Sequence, residues 1–323
     1  MTQEISAGSV TNTRPSLARF AWISIAAAVA TIALKTTAWL LTGSVGLLSD
    51  AAESVVNLVA AVTTLGMLTV AARPPDEEHA YGHDKAEYFA SGVEGALILV
   101  ASVAIVWSAV DRLIHPRAIE QVGIGLLVSL GASLVNLVVS RVLMRAGKKH
   151  HSIALEADAH HLMTDVWTSA GVLVGIGVVA VTGWDRLDPI VAIGVALNIT
   201  WTGGKLIRRS ALGLLDTALP PDEQAAVQRV LDSHRGPEVQ FHALRTRQAA
   251  SRRFVSVHVL VPGTWSVARG HALLERIEHE VRLAIPNANV ITHLEAIEDP
   301  TSYADEGLDR AAPATVSEPT SGE

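Results

Sequence analysis

The chain has no cysteine, few aromatic residues and few charges: of its 323 residues none is Cys, 4% are Phe, Trp or Tyr, and 18% are Asp, Glu, Lys or Arg. Without cysteine there are no disulfides, thiolate ligands or thiol nucleophiles, so metal chemistry must draw on imidazole, carboxylate and amide donors. A formal net charge of −7 supplies no basic surface of the kind nucleic acid requires, and no nucleic-acid partner is expected. What the chain has in quantity is apolar sequence, 49% of residues with a mean hydropathy of +0.33, together with thirteen histidines. That is the composition of an α-helical integral membrane protein with room for a modest soluble domain.

Six segments approach or exceed the roughly 20 apolar residues that cross about 30 Å of hydrocarbon. They lie near Leu17–Leu41, Ser44–Ala71, Tyr88–Ile114, Val122–Leu143, Ile153–Val181 and Pro189–Leu212. The stretch before them, residues 1–16, is polar, and the first apolar run is too long for a signal-peptide core, so it is read as an uncleaved span. Arg73, Lys85, Arg145, Lys148, Lys149, Arg208 and Arg209 fall on one side of these spans and only Arg112, Arg117 and Arg186 on the other. The excess of positive charge predicts that both termini are cytoplasmic.

From about Leu219 the pattern changes. Pro220-Pro221-Asp222-Glu223 is a helix start, with proline in the first turn and acids at the positive end of the dipole. Strand-like runs follow at Val239–Arg247 and Arg252–Val261, then a helix near Ser266–Ile285 and a strand near Asn289–Ile297. This predicts a small α+β domain of order α-β-β-α-β over 214–298, after a transport domain over 17–213. Residues 299–323 are rich in Ser, Thr, Pro and acids, and are expected to be disordered.

Ionisable residues within apolar spans point to function, because burying them in hydrocarbon is costly. His161 and Asp165 in span five are four residues apart, as are Glu53 and Asn57 in span two, so each pair shares one helix face. Two such pairs on facing helices could form a four-coordinate metal site; alternatively they satisfy one another as interhelical hydrogen bonds. In the loop after span two, Asp76, His79 and His83 are spaced to hold a metal or to form a solvated polar loop. His242, His258, His271 and His293 fall on or beside the elements of the soluble module, and Glu295 shares a strand face with His293. These too read either as a metal site or as surface histidines.

These stretches resemble the cation diffusion facilitator family, in particular its bacterial ferrous-iron and zinc efflux branch. The likeness rests on Ser44-Val45-Gly46-Leu47-Leu48-Ser49-Asp50-Ala51-Ala52-Glu53, on Tyr81-Gly82-His83-Asp84-Lys85-Ala86-Glu87, on the His161–Asp165 pair and on His242-Ala243-Leu244-Arg245-Thr246-Arg247, in that order. It implies six transmembrane helices followed by a metallochaperone-like cytoplasmic domain, and a homodimer in the bacterial inner membrane that exchanges a divalent cation for protons. It places a transport site at Glu53, Asn57, His161 and Asp165, and a loop site at Asp76, His79 and His83. A cytoplasmic site falls on His242, His258, His271, His293 and Glu295, and a structural salt bridge on Lys85 and Asp216.

The resemblance departs at Asn57, where the family usually has Asp. With Glu53 and Asp165 ionised and His161 neutral, the four residues still supply about two negative charges against one divalent ion. An amide among the ligands suits Mn²⁺, Fe²⁺ or Co²⁺ as well as Zn²⁺, and the resemblance favours Zn²⁺ or Fe²⁺. The expected function is therefore metal efflux by alternating access, with a membrane-anchored metal sensor or scaffold as the alternative. A membrane metallohydrolase is disfavoured because no His-Glu-x-x-His run is present, and no enzymatic activity is expected.

Overall fold

The computed structural model describes residues 17–42, 45–115, 124–184, 186–304 and 307, and it divides into two compact units, Met1–Leu214 and Leu215–Glu323. Among the described residues the first unit holds six long helices: α1 (Ala18–Thr42), α2 (Val45–Ala71), α3 (Ala86–Ile114), α4 (Ile124–His150), α5 (Ile153–Thr182) and α6 (Leu187–Leu214). Among the described residues four stretches, Ala18–Leu41, Ala86–Ile114, Leu130–His150 and Pro189–Leu214, are long and apolar enough to cross a membrane. Helix α4 continues past the apolar boundary expected at Leu143, through Arg145, Lys148 and Lys149, because those residues favour helix and need only water around them.

The unit is apolar outside and partly polar inside. Val103, Trp107, Leu127, Leu134 and Trp201 are exposed, whereas Glu94, Asp158 and His161 are buried. In hydrocarbon this is the favourable arrangement, since exposed side chains meet lipid and ionisable groups find partners only within the bundle. Small residues bring the helices together: Ala21, Ala27, Ala90, Ala146, Ala154 and Ala159 pack with Leu68, Leu143 and Leu162 in one core. Along the α3–α6 seam a Cβ at Gly95 would lie 2.8 Å from Ile207 Cγ1, and one at Gly203 would lie 3.0 Å from Ile98 Cγ2. At Gly95 an added Cβ would force Ile207 to shift.

Ser152 caps α5, its hydroxyl oxygen accepting from the Leu155 N–H at 3.4 Å. The same hydroxyl donates to Glu87 Oε2 on the first turn of α3, and the Ala154 N–H points to that oxygen at 3.5 Å. A buried carboxylate thus meets the positive end of the α5 dipole.

The second unit follows the expected order: α7 (Pro221–His234), β1 (Gln240–Ala249), β2 (Arg252–Val261), α8 (Val267–Ala284) and β3 (Ala288–Ala296). Strands β1 and β2 form an antiparallel hairpin, and β3 joins β2 in parallel after the α8 crossover, giving the order β1-β2-β3. Val227 and Leu231 of α7, Leu273, Ile277 and Val281 of α8, and Val255, Val257 and Val259 of β2 form its core. Arg253 on β2 donates to both oxygens of Glu223 on α7, at 2.6 and 3.0 Å. After β3 the chain differs from the expectation of disorder at Pro300–Tyr303, which form a 3₁₀ turn. Asp299 caps it by accepting from the Thr301 N–H at 2.9 Å, and Ser302 is buried. Residues 308–323 lie outside the described residues.

Candidate metal sites

Helix α5 presents His161 and Asp165 to α2, where Asn57 meets both. The Asn57 amide nitrogen donates to Asp165 Oδ2 at 2.5 Å, and its carbonyl oxygen lies 2.8 Å from His161 Nε2. Asp165 Oδ2 also accepts from the Asn136 amide of α4 at 2.9 Å. All four side chains are buried. Three of the four residues expected at a transport site are therefore brought together. The fourth, Glu53, belongs to α2, but its side chain lies outside the described residues.

Around this cluster stand further buried polar groups. Glu94 of α3 is 1% exposed and accepts from the Thr64 hydroxyl of α2 at 3.1 Å. Its other oxygen faces His161 Nδ1 at 3.7 Å. Asp158, one turn before His161, accepts from the Ser24 hydroxyl of α1 at 3.1 Å. Glu94, like His161, is an ionisable residue within an apolar span, and its place in the sequence carries the same signal. Asn136 carries no charge and gives no such signal.

The loop between α2 and α3 gathers Asp76, His79 and His83 so that one donor atom from each lies within 4.8 Å of the others. Asp76 Oδ1 accepts from the His79 N–H at 2.7 Å and lies 3.1 Å from His79 Nδ1, while Oδ2 lies 3.3 Å from His83 Nε2. Loss of water opposes ionisation of Asp76, but the hydrogen bonds from His79 and the nearby His83 and His79 charges outweigh it and hold the carboxyl below its ordinary value. An anionic oxygen with two imidazoles is a donor set suited to a divalent cation.

The sheet of the second unit lines up imidazoles. His242 on β1 pairs in register with His258 on β2, and His258 pairs with His293 on β3. Glu295 sits among them, its carboxylate 2.7 Å from His242 Nε2 and 3.3 Å from both His258 Nδ1 and His293 Nδ1. Among the described residues His242 Nδ1 makes no hydrogen bond although it is buried, so imidazole donors and one buried carboxylate fit a metal ion here. Tyr303, on the 3₁₀ turn, lies with its ring 6.0 Å from that of His242. His271 is not part of the cluster: it stands on α8 with a side chain 69% exposed, 4.0 Å from Glu275. Lys85 and Asp216 fall in different units. Lys85 Nζ donates to the Leu214 carbonyl at 3.3 Å, and Asp216 pairs with Arg247 at 3.2 Å.

Residues 21–215 match the model of the cation efflux transmembrane domain, and residues 219–297 that of the cation efflux protein cytoplasmic domain. The chain is 50% identical over 284 residues to an uncharacterized transporter of Synechocystis, a match covering 88% of this chain and 92% of the other. It is 30% identical over 294 residues to the cation-efflux pump FieF of Yersinia pestis, covering 89% and 95%. Among solved structures, the metal-bound C-terminal domain of the CzcD transporter from Thermotoga maritima is 25% identical and covers 24% of this chain and 92% of that one, with a TM-score of 0.22. The family models span both units, and the chain belongs to the cation efflux, or cation diffusion facilitator, family of membrane transporters.

Proposed function

We propose that this protein exports Zn²⁺ or Fe²⁺ from the cytoplasm in exchange for protons, working as a homodimer in a bacterial inner membrane with both termini cytoplasmic. The observation that carries the reading is Asn57 lying between His161 and Asp165 in the buried interior of the helical unit. One amide, one imidazole and one carboxylate converge there, and Glu53 on the same helix supplies the second carboxylate. These residues bind the cation from the cytoplasmic side and release it when protons compete for the ligands, because metal binding requires a neutral imidazole and ionised carboxylates. The loop and cytoplasmic clusters hold additional cations, the cytoplasmic one stabilising the dimer.

Asn57 sets metal preference. An amide oxygen is a neutral donor, harder and weaker than imidazole, and the ligand set tolerates Mn²⁺ and Co²⁺ as well as Zn²⁺ and Fe²⁺. The test is cation flux into proteoliposomes under a proton gradient, with a panel of these four metals, for the wild type, Asp165→Ala and Asn57→Asp. The reading requires flux that is lost in Asp165→Ala and a shifted metal order in Asn57→Asp. Undiminished flux in Asp165→Ala refutes the assignment of the site.

A further inference from the structure

The hydrogen bonds around His161 have a direction. The Asn57 amide nitrogen donates to Asp165, so its carbonyl oxygen must be the atom facing His161 Nε2 at 2.8 Å. A carbonyl oxygen only accepts, and Nε2 therefore carries the imidazole hydrogen. In a neutral ring Nδ1 then bears a lone pair. Nδ1 and Glu94 Oε2 make no hydrogen bond among the described residues, although both are buried and stand 3.7 Å apart. An Nδ1 without a hydrogen has nothing to donate to Glu94 Oε2, in keeping with the unused atoms and a separation too long for a hydrogen bond.

A cation bound at His161 Nε2 needs the opposite arrangement. The lone pair must be on Nε2 and the hydrogen on Nδ1, which faces Glu94 Oε2 at 3.7 Å. We infer that Glu94 is a positioning residue of the transport site: it accepts the Nδ1 hydrogen of His161 in the cation-bound state, and so selects the tautomer that offers Nε2 to the metal. The hydrogen that leaves Nε2 is balanced by one taken up at Nδ1, and the ring is neutral before and after. Thr64, donating to Glu94 Oε1 from α2, holds the carboxylate so that its second oxygen remains aimed at the ring. Carboxylates that fix a ligating histidine in this way raise its basicity, and their loss typically lowers metal affinity about 10–100-fold.

This inference rests on the transport site proposed above, and the experiment separates the two. Side-chain ¹⁵N spectra of the full-length protein in nanodiscs, with His161 assigned by difference from His161→Asn, report the tautomer with and without Zn²⁺. The expected result is hydrogen on Nε2 without Zn²⁺, and hydrogen on Nδ1 with the metal on Nε2. In proteoliposome flux, Glu94→Ala raises KM for Zn²⁺ at least tenfold with little change in the maximal rate. Glu94→Gln, which keeps an acceptor oxygen, stays within about threefold of wild type. A general packing defect would lower the maximal rate or the folded yield in both variants and leave the tautomers as in wild type. If Asp165→Ala abolishes flux while Glu94→Ala keeps the wild-type KM, the inference about Glu94 is overturned and the transport site stands. If Asp165→Ala transports normally, the site itself fails. Should Glu94→Ala not fold, the wild-type spectra and Glu94→Gln still decide: an unchanged tautomer on Zn²⁺ addition overturns the inference.

Discussion

Glu87, in the first turn of α3, accepts the hydroxyl hydrogen of Ser152, the residue that caps α5. The helix carrying His161 and Asp165 therefore starts on a carboxylate from its neighbour. Replacing Glu87 by Ala leaves the buried Ser152 hydroxyl and the Ala154 N–H without that acceptor. We expect a loss of about 1–3 kcal/mol, seen as a lower Tm in detergent, with reduced flux. Glu87→Gln, which retains an acceptor oxygen, should lose less.

Glu295 is the carboxylate shared by His242, His258 and His293. Its replacement by Ala should remove cytoplasmic metal binding, measured as a drop in bound Zn²⁺ per chain in the full-length protein. Flux at saturating metal should persist, because Asn57, His161 and Asp165 are untouched.

Asp76 has a pH signature. Its folded pKa is below the ordinary 3.8, so the loop stabilisation from its ionised form is fully present above the unfolded value. It is lost as pH falls through the lower, folded value. Following the His79 amide by NMR should show a transition below pH 3.8 in wild type, and none from this group in Asp76→Asn.

Gly95 tests the α3–α6 seam. A Cβ there meets Ile207 Cγ1 at 2.8 Å and the Gly203 carbonyl at 3.2 Å, so Gly95→Ala should cost about 1–3 kcal/mol by overpacking. Thermal unfolding in detergent checks this, with Gly66→Ala as control, since nothing lies within 4 Å of a Cβ at Gly66.

The helices and the α-β-β-α-β order were legible because apolar runs and alternation report burial directly. The four-residue spacing of His161 and Asp165 likewise put them on one face, and Asn57 joins them in the structure. Asn136 was not legible, because an amide in a span is unremarkable until a carboxylate is found beside it. The turn at Pro300–Tyr303 was hidden for a different reason. Its composition is that of a solvated tail, and its order comes from the Asp299 cap and from Ser302 and Tyr303 bonding back to the carbonyls of Ala296 and Ile297.

The close approach at Gly95 and Gly203 leaves α3 and α6 little freedom to slide past one another, so mechanically they act as a single strut. Glu94 is the residue beside Gly95 and is carried by that strut, whereas His161 is carried by α5. Any rocking of the strut against α5 changes the 3.7 Å separation between Glu94 and His161, so that one gap registers the motion of one element against the other.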